Sequence, residues 1–255
     1  MTETEMTYRE AIRAALDDEM TSDSSVLLLG EDVAQAGGPF KTSEGLYDKF
    51  GGDRIINTPI AENGFTGVAL GMALTGMRPV VEIMFMDFVM LAMDQIVNQA
   101  AKARSMFGGQ ASLPLVIRAP HGGGLNAGPQ HSQCLEAWFA HVPGLKVVCP
   151  ANAADAYGLI RSAIDDPDPV IVVENKTLYA AKGQLSDDPQ AVPIGKATIS
   201  RPGRDVTVVT YGAMVREALT AADQLTIEGV DIEVLDLRSI QPWDEAMVVS
   251  SLART

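Results

Sequence analysis

The sequence predicts an α/β protein with a doubly wound, mainly parallel sheet, followed by a second, truncated α/β domain. The first supporting observation is that short apolar runs, such as Val26–Gly30, alternate with longer segments whose apolar residues recur at helical spacing. The second is that the run Val26–Gly30 is apolar at every position, which is typical of a parallel strand covered on both faces. No internal repeat or low-complexity tract interrupts the alternation.

The chain divides into two predicted domains joined by a linker. Residues 1–176 hold about six predicted strands and the helices between them. Residues 177–204 lose their apolar periodicity and collect prolines and acidic residues, which favours an extended linker. Residues 205–255 contain only two predicted strands and two helices. Because so few elements cannot cover both faces of a sheet, we expect this second unit to be truncated or completed by another chain.

The first domain opens with a predicted amphipathic helix. Thr7 and Glu10 have the spacing of a capping box, and apolar residues follow at helical spacing. After the strand Val26–Gly30 and a short helix at 43–50, strands are predicted at 54–56, 79–85, 113–118, 146–149 and 170–174, and helices at 62–76, about 87–106 and 153–164. In the second domain, strands are predicted at 206–211 and 232–237, and helices at 215–228 and from about 243.

Charge and hydropathy exclude several classes of partner. The 255 residues carry a formal net charge of −14, from 19 basic and 33 acidic side chains. This balance argues against nucleic acid and anionic membranes as partners. The N-terminus is acidic, unlike a signal peptide, and no run of about 18 apolar residues lacks a charge. We therefore expect a cytoplasmic protein without a membrane span.

The two cysteines, Cys134 and Cys149, give no metal or disulfide signal by their spacing. They do not form a CxxC motif, and no pair of histidines lies near them in the register of metal ligands. The sequence therefore predicts neither a structural zinc site nor a disulfide framework, and a reducing cytosol fits.

Acidic side chains follow two of the predicted strands. Glu62 begins a helix just after the strand at 54–56, and Glu31 and Asp32 come directly after Val26–Gly30. Ligands of open α/β sheets bind at the carboxyl ends of the strands, and a helix N-terminus stabilises an acid there. On this stretch alone, the sequence favours an ordinary acid of the first helical turn as the interpretation of Glu62.

A glycine-rich loop at 119–133 holds two histidines. His121 opens the loop and His131 lies near its end, again after a predicted strand. An imidazole titrates near neutral pH, which suits proton transfer, although a lone histidine in a loop is more often structural or exposed to solvent. His131 is our first candidate and His121 the second.

Seven blocks of sequence together carry a family resemblance. They lie at 31–33, 58–67, 82–88, 94–98, 130–133, 143–148 and 236–243. In this order and over essentially the whole chain, they resemble the β chain of thiamine diphosphate-dependent 2-oxo acid dehydrogenases, including the pyruvate, branched-chain and acetoin enzymes. The resemblance to transketolase is more distant.

The resemblance implies a pyrimidine-binding domain and a role for five of its residues. Glu62 matches the glutamate that hydrogen-bonds N1′ of the cofactor aminopyrimidine and so favours loss of the thiazolium proton. Phe88 matches an aromatic residue that stacks on the pyrimidine, although ordinary core packing explains it equally well from sequence. His131 matches the histidine that approaches the substrate and the lipoyl group. Glu31 and Asp32 either belong to the acidic network near the cofactor or cap the next segment, and capping is the favoured interpretation of Asp32.

The resemblance also implies metal ions, and one of them has no ligands in this chain. Family members hold the cofactor diphosphate through Mg²⁺ and a Gly-Asp-Gly segment, which is absent from these 255 residues. We expect an α chain to contribute that half. A monovalent cation such as K⁺ is held in family members mostly by backbone carbonyls. The matching positions are Leu115, Ala163, Asp166 and Asp168, although a plain turn also explains residues 165–168.

The function implied is that of a dehydrogenase β chain. With an α chain, in an α2β2 assembly, it would transfer an acyl group from a 2-oxo acid or acetoin to the lipoamide of a lipoyl acyltransferase. The sequence leaves the substrate open. Two alternatives are another transketolase-like half-enzyme and a non-catalytic assembly chain, and the joint presence of Glu62, Phe88 and His131 argues against the latter.

Overall fold

The computed structural model describes residues 3–255, which form strands and helices in close alternation. The strands are β1 Glu3–Thr7, β2 Val26–Gly30, β3 Ile55–Asn57, β4 Arg78–Glu82, β5 Val116–His121, β6 Lys146–Val148, β7 Val170–Asn175, β8 Lys182–Ser186, β9 Thr198–Arg201, β10 Val206–Thr210, β11 Ile232–Asp236 and β12 Ser239–Gln241. The α-helices are α1 Tyr8–Ser22, α2 Leu46–Phe50, α3 Glu62–Leu74, α4 Ala101–Met106, α5 Glu136–Ala140, α6 Ala153–Asp165, α7 Ala213–Thr226 and α8 Glu245–Leu252.

A seven-stranded sheet organises the molecule, in the order β12-β6-β7-β5-β4-β2-β3. The six strands from β2 to β7 run parallel, as the sequence predicts. The seventh strand, β12, lies far along the chain and pairs antiparallel with β6. Because β12 has only three residues, the apolar periodicity of the sequence did not predict it.

Both faces of this sheet are covered, which explains why its strands are largely apolar. In β2, Val26 and Leu28 pack into a core beneath α1 and α6, whereas Leu27 and Leu29 pack into a second core beneath α3. Successive strand side chains point to opposite faces, so a strand with two buried faces is mostly apolar, as β2 is. The doubly wound α/β architecture is therefore confirmed.

The predicted start of α1 is also confirmed. The Thr7 hydroxyl accepts a hydrogen bond from the Glu10 backbone N–H, and the Glu10 carboxylate accepts one from the Thr7 backbone N–H at 2.7 Å. These two bonds satisfy donors that the first helical turn would otherwise leave free. α1 then packs on α6.

Two strands lie in the segment predicted as a linker. β8 pairs antiparallel with β1, and β9 pairs antiparallel with β11 at the edge of a three-stranded sheet ordered β10-β11-β9. β10 and β11 are parallel, as predicted. Short strands that are partly exposed carry little apolar periodicity, which explains why the sequence pattern missed them. The boundaries of the two domains stay predictions.

The prediction of a single helix at about 87–106 is wrong. This segment consists of a 3₁₀ helix at Met86–Ala92, a π-helix at Asp94–Ala100 and α4. The strand predicted at 113–118 also begins later, at Val116, since Pro114 has no N–H for the ladder and Leu113 donates to the Pro167 carbonyl instead. The shift places His121 at the end of β5.

Among the described residues, no helix is long and apolar enough to cross a membrane.

Candidate active site

Glu31 and Glu62 meet at the carboxyl ends of the parallel strands. Glu31 follows β2 and is 5% exposed, and Glu62 is the first residue of α3 and is 4% exposed. The oxygen Oε1 of Glu31 is buried and has no hydrogen-bond partner. Burial, followed by the nearby charges of Glu62 and Asp32, raises the pKa of Glu31 to about 7.

No cation among residues 3–255 pairs with these two carboxylates, and no side chain there donates a hydrogen bond to Glu62. A buried charge without a partner is costly, so such groups are rare unless something else binds them. Ala61, the N-cap of α3, makes no side-chain hydrogen bond to the first turn, which leaves the positive end of the helix to Glu62. The arrangement can therefore offer a charged hydrogen-bond acceptor to a ligand.

The loop before α3 runs alongside the end of β2. The Thr58 backbone N–H donates to the Gly30 carbonyl at 2.9 Å, and the Thr58 hydroxyl is buried without a partner. This contact explains why residues 57–61, which are far from Glu31 in sequence, bring Glu62 beside it. Asp32 is exposed and adopts a left-handed backbone with φ of 56°, consistent with a turn residue.

Phe85, Phe88 and His131 form an aromatic cluster beside this edge. The His131 ring lies edge-on to Phe85 at 4.9 Å and to Phe88 at 5.3 Å between ring centroids. The two phenylalanines lie 6.2 Å apart, also edge-on. Phe88 is half-buried and belongs to the 3₁₀ helix that packs against α3, so it lies between the helix of Glu62 and the loop of His131.

Two residues that the sequence did not single out fix the position of His131. The Lys176 ammonium donates a hydrogen bond to the His131 carbonyl and lies 5.1 Å from the centre of the Phe85 ring. Asp87 accepts hydrogen bonds from the backbone N–H groups of Ser132 and Gln133, at 3.2 and 3.1 Å. Burial lowers the pKa of Lys176, an effect that the charge of Asp87 opposes.

The signal that could have found Lys176 is its place directly after a parallel strand, since polar residues at such ends repeatedly form sites. Asp87 carried a weaker signal, because it lies inside a predicted helix. Both are buried charged residues, and burial is not visible in a single sequence.

Comparison with known proteins gives this site a family. Residues 4–182 match the model of the transketolase pyrimidine-binding domain, and residues 195–255 match that of the transketolase C-terminal domain. The chain is 52% identical to the pyruvate dehydrogenase E1 component subunit β-2 of Oryza sativa subsp. japonica, over 98% of this chain and 68% of that one. It belongs to the transketolase-like family of dehydrogenase β subunits.

Two further comparisons describe the breadth of this family. The chain is 47% identical to the β subunit of acetoin:2,6-dichlorophenolindophenol oxidoreductase from Cupriavidus necator, over 98% of this chain and 77% of that one. Among solved structures, it superposes on a split-gene transketolase described as an inactive β4 tetramer, with a TM-score of 0.82 and 27% identity. That match covers 98% of this chain and 77% of the other.

The dehydrogenase β-subunit family implies thiamine diphosphate, and the residues present fit one half of it. An aminopyrimidine needs a fixed carboxylate that is shielded from water, and Glu62 is such a group without an internal partner. The exposed face of the aromatic cluster offers an apolar surface for a ring. The oxygen-rich Gly-Asp-Gly segment that would hold Mg²⁺ does not occur in these 255 residues.

The residues matched to the family's monovalent-cation site lie at the opposite edge of the sheet. Leu115, Ala163, Asp166 and Asp168 surround the amino ends of β5 and β7 and the end of α6. Pro167 has no N–H, so the Ala163 carbonyl lacks its usual helical partner four residues on.

Other groups at this edge are already occupied. The Leu115 carbonyl accepts a hydrogen bond from the Val170 N–H at 3.0 Å. Asp166 binds the Lys146 ammonium at 2.7 Å, and Asp168 pairs with Arg104. Of the groups that could bind a cation, the Ala163 carbonyl is therefore free, whereas the others already have partners. The site stays a prediction.

His121, the second candidate for proton transfer, faces a different group. Its Nδ1 lies 3.4 Å from Oε2 of Glu136, the first residue of α5. Burial lowers the pKa of His121, but the neighbouring Cys134 and Glu136 outweigh it and raise that pKa to about 9. Because the imidazole faces Cys134 and Glu136 and its pKa is raised, it is not suited to accept a proton from a substrate at neutral pH.

Proposed function

We propose that this chain is the β subunit of a thiamine diphosphate-dependent 2-oxo acid or acetoin dehydrogenase. It binds the aminopyrimidine of the cofactor and, with an α chain, transfers an acyl group to lipoamide. The observation that carries this proposal is the buried Glu62 carboxylate, which has no cation and no donor of its own among residues 3–255. Family membership supports the same assignment.

Each residue of the site has a proposed role. Glu62 accepts a hydrogen bond from the aminopyrimidine, and Phe88 packs against its ring. Glu31, half protonated near neutral pH, donates or accepts a hydrogen bond beside Glu62 without adding a second full charge. When bound, thiamine diphosphate supplies the carbon nucleophile that attacks the substrate carbonyl.

His131 is the proposed proton carrier for the substrate and the lipoyl group. Its ring lies against Phe85 and Phe88, while Lys176 binds its carbonyl and Asp87 binds the N–H groups of the next two residues. A half-buried imidazole on a held loop can exchange a proton with an intermediate and still reach an incoming group.

An α chain completes the proposed site. It contributes the ligands of Mg²⁺ and the diphosphate pocket, and an α2β2 heterotetramer in the cytoplasm is the expected assembly. A monovalent cation such as K⁺ at Leu115, Ala163, Asp166 and Asp168 would stabilise the β chain. A lipoyl acyltransferase is the proposed acceptor of the acyl group. The description of the matched split-gene transketolase as an inactive β4 tetramer is consistent with a β chain that needs its partner.

The substrate is proposed as a class rather than a single compound. Relatives of similar identity are named for pyruvate and for acetoin, so identity alone does not separate them. The alternatives are another transketolase-like half-enzyme, which would transfer a ketol group to an aldose, and a non-catalytic assembly chain.

The test is co-expression with a candidate α chain that contains Gly-Asp-Gly, followed by an assay of pyruvate, branched-chain 2-oxo acids, acetoin and a ketose donor. Lipoamide-dependent turnover of one of the first three supports the dehydrogenase. Turnover of the ketose alone supports the transketolase-like half-enzyme, and normal assembly with no turnover supports the assembly chain.

Calorimetry of the isolated chain completes the test. We expect little binding of thiamine diphosphate and Mg²⁺, because the two phosphates have no metal ligands in this chain. Micromolar binding together with decarboxylation in the absence of any α chain would overturn the half-site proposal.

A further inference from the structure

His121, Cys134 and Glu136 converge where the two ends of the loop that carries His131 come together. His121 ends β5, Cys134 follows the loop, and Glu136 begins α5. Each offers one ligand atom, and these nitrogen, sulfur and oxygen atoms all lie within 4.8 Å of one another. The sequence spacing of Cys134 hides this group, because its neighbours come together only through the fold.

Two of these ligand atoms are buried without hydrogen-bond partners. His121 is 6% exposed and Glu136 is 9% exposed, and neither Nδ1 of His121 nor Oε2 of Glu136 has a partner of hydrogen-bonding geometry. The two atoms are 3.4 Å apart. Two ligands at about 2.0–2.1 Å from a tetrahedral zinc ion would also lie about 3.4 Å apart, so the spacing already suits a shared metal.

A neighbouring group orients the carboxylate. The Tyr211 hydroxyl donates a hydrogen bond of 3.4 Å to Oε1 of Glu136, which leaves Oε2 to face His121. Groups that hold a ligand from behind are a regular feature of metal sites. The Cys134 thiol is exposed, so an ion can reach the group from solvent.

We propose that His121, Cys134 and Glu136 bind a divalent transition-metal ion of the zinc class, with a fourth position open to solvent. One nitrogen, one sulfur and one oxygen ligand suit Zn²⁺ and Co²⁺, whereas Mg²⁺ and Ca²⁺ take oxygen ligands alone. This site is separate from the cofactor half-site and does not depend on the proposed function.

The ion would join the two ends of the loop. The Gly122 N–H already donates to the Gln133 carbonyl at 3.1 Å, so the loop at 122–133 closes on itself next to the three ligands. A metal shared by His121 on one end and Cys134 and Glu136 on the other would fix this closure. Residues 122–133, which include His131, would then open less often.

The test is a titration of the metal-free 255-residue chain with Co²⁺ and then Zn²⁺. We expect one Co²⁺ per chain with a thiolate-to-cobalt charge-transfer absorption band, which Zn²⁺ abolishes by displacement. The variants are Cys134→Ser, His121→Asn and Glu136→Gln, with His141→Asn as the control at an exposed histidine. Cys134→Ser should remove the band, each ligand variant should bind at least about tenfold more weakly, and the control should match the wild type.

Hydrogen exchange measures the loop itself. Zn²⁺ should slow exchange of residues 122–133 in the wild type and leave Cys134→Ser unchanged. Because Cys134 is exposed, this variant keeps the packing of the fold even where His121→Asn does not. The proposal is overturned by binding without the charge-transfer band, by equal affinity of wild type and Cys134→Ser, or by no stoichiometric binding at all. Any of these results would leave the three residues as a polar cluster that binds no metal.

Discussion

Two pairs of buried glutamates lie at the carboxyl ends of the same sheet, and only one pair is neutralised. Glu82 ends β4 and Glu174 lies near the end of β7, and Arg118 of the intervening strand β5 binds both. The guanidinium donates to Glu174 through Nε and Nη2, at 2.7 and 2.9 Å, and to Glu82 through Nη1 at 2.6 Å. All three side chains are at most 2% exposed.

Neutral donors complete this first group. The Thr42 hydroxyl donates to Glu82 at 2.9 Å, and the Tyr179 hydroxyl donates to Glu174 at 2.7 Å. Burial by itself would lower the pKa of Arg118, but Glu174 and Glu82 outweigh it and raise that pKa. The charges of this group are paired and its side chains are buried, so no charged group remains to bind a ligand.

Glu31 and Glu62 have the same burial and none of these partners. Burial, followed by the charges of Glu62 and Asp32, raises the pKa of Glu31, because no cation offsets these effects. The comparison teaches that burial of an acid does not by itself mark a site. What separates the two pairs is whether the fold supplies the counter-charge, and the uncompensated pair is the one left for chemistry.

The largest expected effect is on turnover and tests the uncompensated pair. Glu62→Gln in the assembled enzyme should lower kcat by about 10² to 10⁴, because an amide is a far weaker proton acceptor for the aminopyrimidine. The free energy of unfolding should not fall, since no internal partner of Glu62 is lost. Steady-state kinetics and denaturant unfolding measure the two effects, and Glu44→Gln at an exposed acid is the control. Near wild-type turnover would remove Glu62 from the mechanism.

The next effect is on stability and tests the compensated pair. Arg118→Met leaves two buried carboxylates without a cation, which should cost about 3–5 kcal/mol of unfolding free energy. Arg13→Met breaks an exposed pair with Glu44 at 3.5 Å and should cost less than about 1 kcal/mol. Urea denaturation of both variants checks the difference. Equal losses of unfolding free energy in the two variants would contradict the view that an ion pair contributes to stability according to its burial.

A smaller effect is expected at the aromatic cluster. His131→Ala should lower turnover by about a hundredfold, while the dissociation constant of the cofactor changes little, because the imidazole serves the substrate and not the diphosphate. The exposed His141→Ala is the matched control. Measurement of kcat alongside cofactor titration separates the two readouts. A loss of cofactor affinity with normal turnover at saturation would assign His131 to binding instead.

The smallest effect is a change in pH dependence. The pKa of Glu31 is about 7 in the folded chain and about 4.3 when unfolded, so the folded state binds the extra proton between these values. Stability therefore falls as pH rises through this window, and Glu31→Gln removes that part of the fall. The melting temperatures of wild type and variant should be closest near pH 4, with the variant higher at pH 8.

A second group titrates in the same window without confusing the result. Burial raises the pKa of Asp236 to about 7 as well, and Asp236 is present in both proteins, so its contribution cancels in the comparison. Parallel melting-temperature curves for wild type and Glu31→Gln would show that Glu31 is ionised throughout and that the uncompensated pair is shielded by something else.

Much of the main sheet was predictable from the sequence alone. β2, β6 and β7 lie close to their predicted positions, and the capping box at Thr7 begins α1 as expected. The placement of Glu62 at the start of α3 was also correct. These features depend on residue types within a few positions of one another, and hydrophobic periodicity and capping record such local preferences directly.

The parts that were missed depend on partners far along the chain. β9 and β12 are three or four residues long and gain their hydrogen bonds from strands that the local sequence does not mention. The helix predicted at about 87–106 breaks into three segments, and periodicity does not distinguish a 3₁₀ or π-helix from an α-helix.

The sequence by itself determined the alternation of parallel strands and helices in the main sheet, the two-sided burial of that sheet and the presence of an acid at the start of α3. Only the tertiary structure decided which acids are neutralised and which are free. Arg118 reaches Glu82 and Glu174 because β4, β5 and β7 are neighbours in register, and His121 meets Cys134 and Glu136 because a loop closes. Charge compensation acts through distances of a few ångströms in space, which a linear pattern of residue types does not encode.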